Sequence, residues 1–160
     1  MAVNNHAIPA STFRLASFLP FKLATLSEAI HRVFAENYEE TFDLTIPECR
    51  ALIVIAEFGT LSPTAVGQHA AMDKVKVSRA TQSLVTKGLL RQRKDPHDGR
   101  ARLLRLTRKG VSTHARIVPL ATKLESRLFD DLSRAELAAL DRVLAKVTTR
   151  LETNDTADVS

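Results

Sequence analysis

A run of turn-forming residues, Asp95-Pro96-His97-Asp98-Gly99, restricts the fold of this chain more than any other feature of its sequence. It separates two segments with the character of strands, Leu89–Arg93 and Ala101–Leu106, which such a turn would join into a β-hairpin. Four helical patterns precede the hairpin and two follow it. This order predicts a mainly α fold with a small hairpin wing, in which the stretch from Thr45 to Thr107 is a winged helix-turn-helix.

The helices are indicated by apolar residues three and four positions apart and by residues that favour helix ends. The first helix extends from about Pro20 to Thr41, with the apolar series Leu23, Leu26, Ile30, Val33, Phe34 and Tyr38. The predicted caps of later helices are Thr45 with Glu48, Ser62 with Pro63, Asp73, Thr107, and Ser133 with Glu136; the predicted stops are Gly59 and Gly88. Pro119 lies inside the fifth pattern and is expected to kink or split that helix.

Basic residues are concentrated between Lys74 and Arg116. This stretch holds thirteen of the 23 Lys and Arg residues but only two of the 18 Asp and Glu residues, so the rest of the chain is net acidic. Segregated positive charge is typical of a surface that faces a polyanion, because each neutralised phosphate releases counterions. A solvated basic face is the alternative, but the charge coincides with a short helix and the hairpin, which favours nucleic acid.

The helix between Asp73 and Gly88 has two different faces. The face expected in the core carries Val77, Ala80 and Leu84, with Thr81 and Val85 beside them. The opposite face carries a stripe of Val75, Ser78, Arg79 and Gln82. Arg79 can donate twice to guanine and Gln82 can pair with adenine, while Ser78 can bond base or phosphate and Val75 can touch a thymine methyl. Lys74 and Lys76, at the helix start, suit phosphates. The stripe therefore predicts a reader of the DNA major groove.

The hairpin supplies a second set of cations, among which Arg93, Arg100 and Arg102 are expected to contact DNA. A guanidinium at the tip, Arg100, is slim enough to enter the minor groove and is attracted by its negative potential. Asp98 can orient Arg100 through a charge-assisted hydrogen bond. The alternative is a solvated hairpin with an ordinary salt bridge.

Other functional classes find no support in the sequence. It contains no Gly-rich phosphate loop, no nucleophile elbow and no HExxH motif, so we expect no enzymatic activity and no cofactor. No paired His or Cys cluster has metal-ligand spacing. No continuous apolar run is long enough for a membrane helix, no secretory signal begins the chain, and the single cysteine, Cys49, fits a reducing compartment, so a cytoplasmic protein is expected.

These residues resemble the multiple antibiotic resistance regulator (MarR) family over roughly residues 20–150. The matching stretches are Leu44-Thr45-Ile46-Pro47-Glu48, Met72-Asp73-Lys74 through Leu84, Lys87-Gly88-Leu89-Leu90, Asp98-Gly99-Arg100, and Leu104-Arg105-Leu106-Thr107 with Lys109-Gly110. The resemblance implies a winged helix-turn-helix flanked by dimerisation helices, with Arg100 in the minor groove and Asp98 as its partner. It also implies palindromic operators in double-stranded DNA and release on binding a small molecule, often an aromatic acid.

The expected organisation is a mobile arm over residues 1–16, a dimerisation helix over 17–42, the DNA-binding domain over 43–107, dimerisation helices over 108–152 and a frayed tail over 153–160. Dimerisation also follows from the wide apolar stripes of the outer helices, which a small winged helix cannot cover. Those helices folding back within one subunit is the alternative.

The resemblance implies a ligand cleft to which His31 and Arg50 contribute, for a repressor that responds to an aromatic acid or its coenzyme A thioester. Two other functions remain open. The winged helix can serve only protein contacts, with an acidic partner on its basic surface. Alternatively, the chain is a redox-sensing regulator acting through Cys49, whose place in the first turn of a helix favours a lowered thiol pKa.

Overall fold

The computed structural model describes residues 13–94 and 102–157. Their elements are a 3-10 turn at Leu15–Ser17, α1 (Leu19–Phe42), α2 (Ile46–Phe58), α3 (Pro63–Ala70), α4 (Lys74–Thr86), β1 (Leu90–Lys94), β2 (Arg102–Leu106), α5 (Arg108–Phe129) and α6 (Arg134–Ala157). This mainly α architecture with one antiparallel hairpin confirms the predicted fold class. The chain forms two compact units, Met1–Val118 and Pro119–Ser160, and α5 begins in the first and ends in the second.

Side chains cap the helices where the sequence predicts them. The carboxylate of Glu48 accepts the backbone N–H of Thr45 at 2.6 Å, and the Thr45 hydroxyl accepts the N–H of Glu48 at 3.4 Å. Ser62 caps α3, and Ser133 forms a second reciprocal box with Glu136 before α6. Each box satisfies two amides that the first helical turn leaves without a partner, so these starts are fixed locally.

The predicted glycine stops are confirmed by the backbone. Gly59 follows α2 at φ 83°, and Gly88 lies just beyond α4 at φ 71°, where a side chain would be strained. After Gly88, the N–H of Leu89 donates to the carbonyl of Leu84 at 2.8 Å, and both leucines are buried. This hydrogen bond and the positive φ of Gly88 end α4 and direct the chain into the hairpin.

The core of the first unit lies where α2, α3 and α4 pack on one another and on the hairpin. Its fully buried large side chains are Leu44, Leu52, Ile55, Val66, Leu84, Leu104 and Ile117. The segment before α3 also joins the hairpin: Leu61 and Leu104 exchange backbone hydrogen bonds of 3.1 and 2.8 Å. This isolated bridge was not predicted from the sequence.

The first turn of α5 lies directly on the base of the hairpin. Thr107 caps this helix: its hydroxyl accepts the N–H of Gly110 at 3.0 Å and donates to the carbonyl of Gly88 at 2.7 Å. Gly110 is buried, and a Cβ at this position would collide with the backbone carbonyl oxygen of Leu89. Helix and strand therefore meet backbone to backbone at this point.

The C-terminal helices differ from the sequence predictions at two points. The helix α5 is continuous from Arg108 to Phe129, so Pro119 does not split it, whereas a kink at Pro119, the other expected outcome, stays a prediction. The last helix extends to Ala157, past residue 153 where the tail was expected to fray. The hydroxyls of Thr149 and Thr153 donate to carbonyls one turn earlier, so these polar side chains are satisfied within the helix.

Large apolar side chains are exposed in clusters on α1 and α6, and singly elsewhere, as at Phe58 and Val111. In the first unit, α1 buries Tyr38 near its C-terminal end but exposes Leu19, Phe21, Leu23 and Leu26 near its start. In the second unit, Leu124 is buried, whereas α6 exposes Leu137, Leu140, Val143, Leu144, Val147 and Leu151. Across the described residues, none of the helices combines the length and the apolar character needed to span a lipid bilayer.

Candidate nucleic-acid interface

The helix α4 is held by its buried face. Val77, Ala80, Thr81 and Leu84 are buried and Val85 is half-buried, which confirms the predicted core side of this helix. The hydroxyl of Thr81 donates to the carbonyl of Val77 at 2.8 Å, so its polar atom is satisfied inside the core. The sequence folds this way because these apolar positions recur at helical spacing.

The opposite face of α4 is open to solvent. Val75, Ser78, Arg79 and Gln82 are all exposed, and the side chain of Val75 is 58% accessible. An apolar side chain this exposed at the start of a helix has no partner in the core of its own unit. The stripe presents an apolar group, a hydroxyl, a guanidinium and an amide, which together can read base edges. That these four side chains contact bases stays a prediction.

Lys74 and Lys76 are exposed at the start of α4, where phosphate contacts are predicted. Asp73 caps the helix by accepting the Lys76 N–H at 2.8 Å, and this hydrogen bond is the main cause that lowers the pKa of Asp73. The ammonium of Lys76 also lies 3.3 Å from the Asp73 carboxylate, with both side chains more than half exposed. Exposed pairs of this kind are weak, so Lys76 remains available to a phosphate.

The C-terminal end of α4 is attached to the junction of α1 and α2. The ammonium of Lys87 lies 3.2 Å from the Glu48 carboxylate and 3.5 Å from that of Asp43, and it also donates to the Asp43 backbone carbonyl. The Lys109 ammonium donates to the carbonyl of Lys87 at 2.8 Å. These contacts fix the orientation of α4 relative to two other helices of its unit.

Glu48 is the buried member of this cluster, with 3% of its surface exposed. Burial opposes its ionisation, but hydrogen bonds from Ser83, Thr45 and Lys87 outweigh burial and hold the pKa of Glu48 below its ordinary value of 4.5. Glu48 is therefore a buried carboxylate at neutral pH. The sequence predicts its capping role but gives no sign of its pairing with Lys87.

The register of the hairpin divides its cations between two faces. Arg91 lies opposite Arg105, and Lys94 lies opposite Arg102. Because residues alternate along a strand and direct partners share a face, Arg93 joins the face of Arg91 and Arg105. The two wing cations Arg93 and Arg102, both predicted as DNA contacts, therefore lie on opposite faces of the ribbon. The predicted tip residues Asp98 and Arg100 lie outside the described residues.

A groove of about 570 Å³, here called the α3–α4 groove, lies along the exposed side of the helix-turn-helix. Ser78 and Gln82 line it from α4, and Gln92 lines it from the hairpin face that carries Lys94 and Arg102. Thr64 and Gln68 of α3 add to its polar lining, together with Lys74 and Thr81 of α4. Thr64, Gln68 and Gln92 were not predicted from the sequence. The spacing of Thr64 and Gln68, four apart on one helix, is the signal that indicates a shared polar face.

The environment of Cys49 contradicts the expected lowering of its pKa. The thiol is 1% exposed, and burial followed by the nearby Glu48 carboxylate raises the pKa of Cys49 to about 12 despite the opposing charge of Lys87. The effect of the helix N-terminus expected from the sequence is thus overcome by desolvation. A buried thiol with a raised pKa is a poor redox sensor, so this alternative loses its physical basis.

The two predicted ligand contacts, His31 on α1 and Arg50 on α2, are both exposed. Within residues 13–94 and 102–157, neither side chain forms a hydrogen bond or an ion pair. Their part in ligand binding stays a prediction. Among the same residues, no group of three or more His, Cys, Asp and Glu side chains is arranged to hold a metal ion.

Comparison with known proteins identifies relatives that bind DNA. Residues 42–101 match the model of the MarR family. The transcriptional repressor IacR of Pseudomonas putida is 29% identical over 154 residues, which cover 94% of this chain and 90% of that protein. A mutant of E. coli MarR complexed with operator DNA is 25% identical with a TM-score of 0.74, over 81% of this chain and 92% of that one.

Bordetella bronchiseptica BpsR has the same fold. It superposes with a TM-score of 0.79 at 24% identity, over 85% of this chain and 96% of that one. The DNA binding of that protein is regulated by 6-hydroxynicotinic acid. The match over residues 42–101, the repressor that is similar along nearly the whole chain and the common fold together show that this chain is similar to the MarR family, whose members are transcription regulators and not enzymes.

Proposed function

We propose that this chain is a repressor that acts in the cytoplasm as a homodimer, binds a palindromic operator in double-stranded DNA and is released by a small aromatic ligand. The observation that carries the proposal is the exposed stripe of α4, whose Ser78 and Gln82 share the α3–α4 groove with Gln92 of the hairpin. A helix with its apolar face buried and its polar face free suits the DNA major groove.

In this proposal α4 reads the major groove and the wing holds the adjacent minor groove. The α4 contacts are Lys74, Val75, Lys76, Ser78, Arg79 and Gln82. Arg100 enters the minor groove with Asp98 as its partner. Arg93 and Arg102, on opposite faces of the hairpin, then reach the two phosphate backbones that flank that groove. This placement accounts for cations on both faces of a single ribbon.

A second copy of the chain is the proposed cover for the exposed apolar side chains of α1 and α6. The exposed set includes Leu23 and Leu26 on α1 and Leu140 and Leu144 on α6. Burying such side chains stabilises an assembly by roughly 25 cal/mol per Å² of apolar surface. Residues 17–42 and 108–152 would then form the dimer, and residues 43–107 the DNA-binding domain. Two-fold symmetry of the protein requires a palindromic site.

Repression and release by a ligand are supported by the relatives. IacR is a repressor, and BpsR responds to an aromatic acid. By analogy we propose an aromatic acid or its coenzyme A thioester as the effector, with Arg50 meeting the carboxylate and His31 beside it. Arg50→Ala should then raise the concentration of ligand needed to release DNA without changing the affinity for the operator.

Selection of bound duplexes from a random pool, followed by binding measurements on the selected site, tests the DNA-binding proposal. The expected result is a palindromic site. The logarithm of its binding constant should fall with the logarithm of the salt concentration, with a slope of about 0.9 per phosphate contacted. Arg79→Ala should relax the preference at one base position in each half-site. Arg100→Ala should weaken binding by more than about 1 kcal/mol without unfolding the protein.

Arg142→Ala on the exposed side of α6 is the matched control, because it removes the same charge far along the chain from α4 and the hairpin. Equal weakening by Arg79→Ala and Arg142→Ala would mean that only net charge matters. A pool without any enriched sequence would contradict a sequence-specific regulator and favour a winged helix that serves protein contacts alone.

Sedimentation equilibrium tests the dimer. Leu144→Glu places a charge on the exposed apolar side of α6. Thr149→Glu places the same charge on the polar side, nearly opposite when viewed along the helix axis. We expect Leu144→Glu to shift the protein to monomer and Thr149→Glu to leave it dimeric. A wild-type protein that sediments as a monomer at every concentration would refute the symmetric part of the proposal.

A further inference from the structure

A second groove, here called the arginine groove, lies on the other face of the hairpin. It has a volume of about 720 Å³ and is formed by the end of α2, the base of the hairpin and the first turn of α5. Three arginine residues line it, Arg91, Arg105 and Arg108. Its remaining lining includes the apolar residues Ile55, Ala56, Leu106 and Val111.

The charges of this groove are not compensated by the described part of the protein. Arg91 and Arg105 are direct cross-strand partners, and like charges placed opposite each other on a sheet are destabilising. Within residues 13–94 and 102–157, no carboxylate forms an ion pair with Arg91, Arg105 or Arg108. The acidic residues that do form ion pairs there, Asp43, Glu48 and Asp73, bind Lys87 or Lys76 instead. An anion from outside the chain would remove this repulsion.

We infer that the arginine groove binds a small organic anion with an apolar body and a carboxylate head. Guanidinium groups pair with carboxylates in a bidentate manner, and Arg91, Arg105 and Arg108 offer several such donors around one opening. Exposed Val111, together with half-buried Ala56 and Leu106, provides apolar contact for the body of the ligand. The volume falls within the range of roughly 300–1,000 Å³ typical of small-molecule sites.

A DNA phosphate is the other anion available to this protein, and the lining argues against it. The apolar residues of the groove would make no favourable interaction with a DNA phosphate. Gln92, which lines the α3–α4 groove from the hairpin, lies on the opposite face of the ribbon from Arg91 and Arg105. The arginine groove is thus separate from both the α4 surface and the predicted contacts His31 and Arg50, and it goes beyond the proposed function.

Calorimetric titration of the full chain with 1-naphthoate tests the inference. Wild-type protein should bind this probe, whereas neutral 1-naphthamide, which lacks the carboxylate, should not bind. Arg105→Gln and Arg108→Gln should each weaken 1-naphthoate binding about tenfold or more, because each removes a charge-assisted hydrogen bond. Arg102→Gln, on the same strand but the opposite face, is the matched control and should stay within about twofold of wild type.

Amide chemical shifts measured during the titration locate the probe, and the expected changes centre on Ile55, Leu106 and Val111. Shifts centred elsewhere, equal weakening by Arg102→Gln and Arg105→Gln, or no binding to wild type would each overturn the inference. Operator affinity measured on the same variants separates the two proposals. If Arg105→Gln spares 1-naphthoate but lowers the salt slope of operator binding by about 0.9, the occupant is a DNA phosphate.

Discussion

Replacing Lys87 with methionine removes the cation that the buried carboxylate of Glu48 faces, at nearly unchanged side-chain length. Breaking a buried ion pair on one side costs about 3–5 kcal/mol, because the remaining charge is left without compensation. The Lys87 side chain is 29% exposed and that of Glu48 only 4%, so water reaches the site from the lysine side and replaces part of the lost interaction. We therefore expect Lys87→Met to lower the free energy of unfolding by about 2–3 kcal/mol at pH 7.

Urea denaturation followed by circular dichroism measures this loss, with all variants at one protein concentration because unfolding of an oligomer depends on concentration. Lys87→Arg keeps the positive charge and should recover most of the stability. Lys76→Met removes a lysine from an exposed pair and should leave the midpoint nearly unchanged. If Lys87→Met unfolds at the same urea concentration as Lys76→Met, the cluster at the end of α4 does not hold the helix.

The same pair predicts a dependence on pH. Because the pKa of Glu48 is held below 4.5 in the folded protein, its ionisation contributes stability that is fully present above pH 4.5 and is lost as the pH falls through the folded pKa. In Lys87→Met that pKa rises, since burial remains and the ammonium is gone. The stability difference between wild type and Lys87→Met should therefore shrink below about pH 4.5. A difference that stays constant down to pH 3 would contradict the assignment.

Three further outcomes are expected. Gly110→Ala should destabilise the protein by about 3 kcal/mol or prevent folding, since its Cβ collides with the Leu89 carbonyl; a melting temperature within a few degrees of wild type would refute this. Because the Cys49 thiol is 1% exposed and burial raises its pKa to about 12, native protein should resist a thiol-specific disulfide reagent and react on unfolding. Native and unfolded rates within tenfold of each other would mean that the thiol is accessible. Thr107→Val should cost about 1–2 kcal/mol in urea denaturation, because the hydroxyl caps α5 and binds the Gly88 carbonyl; no change would show that water replaces both bonds.

Much of the fold follows from local signals. The box of Thr45 and Glu48 and the glycine after α4 act within a few residues, and the structure contains them as predicted. The faces of α4 also follow from spacing alone, because the period of a helix decides which of Val77 and Val75 is buried. For the same reason the sequence alone locates the exposed stripe of α4, although it does not show which DNA bases the stripe contacts.

Features that depend on distant parts of the chain could not be predicted in this way. The helix start at Cys49 is visible in the sequence, but the burial that raises its pKa depends on tertiary packing. Lys87 and Asp43 are 44 residues apart, and no local pattern relates them. The division of Arg93 and Arg102 between two faces depends on the hairpin register, which the length and geometry of the turn determine.

The absence of a side chain at Gly110 has a mechanical consequence. Where helices and strands usually meet, side chains lie between the two backbones and can change rotamer when one element shifts. At the contact of Gly110 with the Leu89 carbonyl no side chain lies between the backbones. A tilt or slide of the first turn of α5 must therefore displace the backbone at the start of β1 by a similar amount. A ligand that moves the first turn of α5 would therefore also move the hairpin.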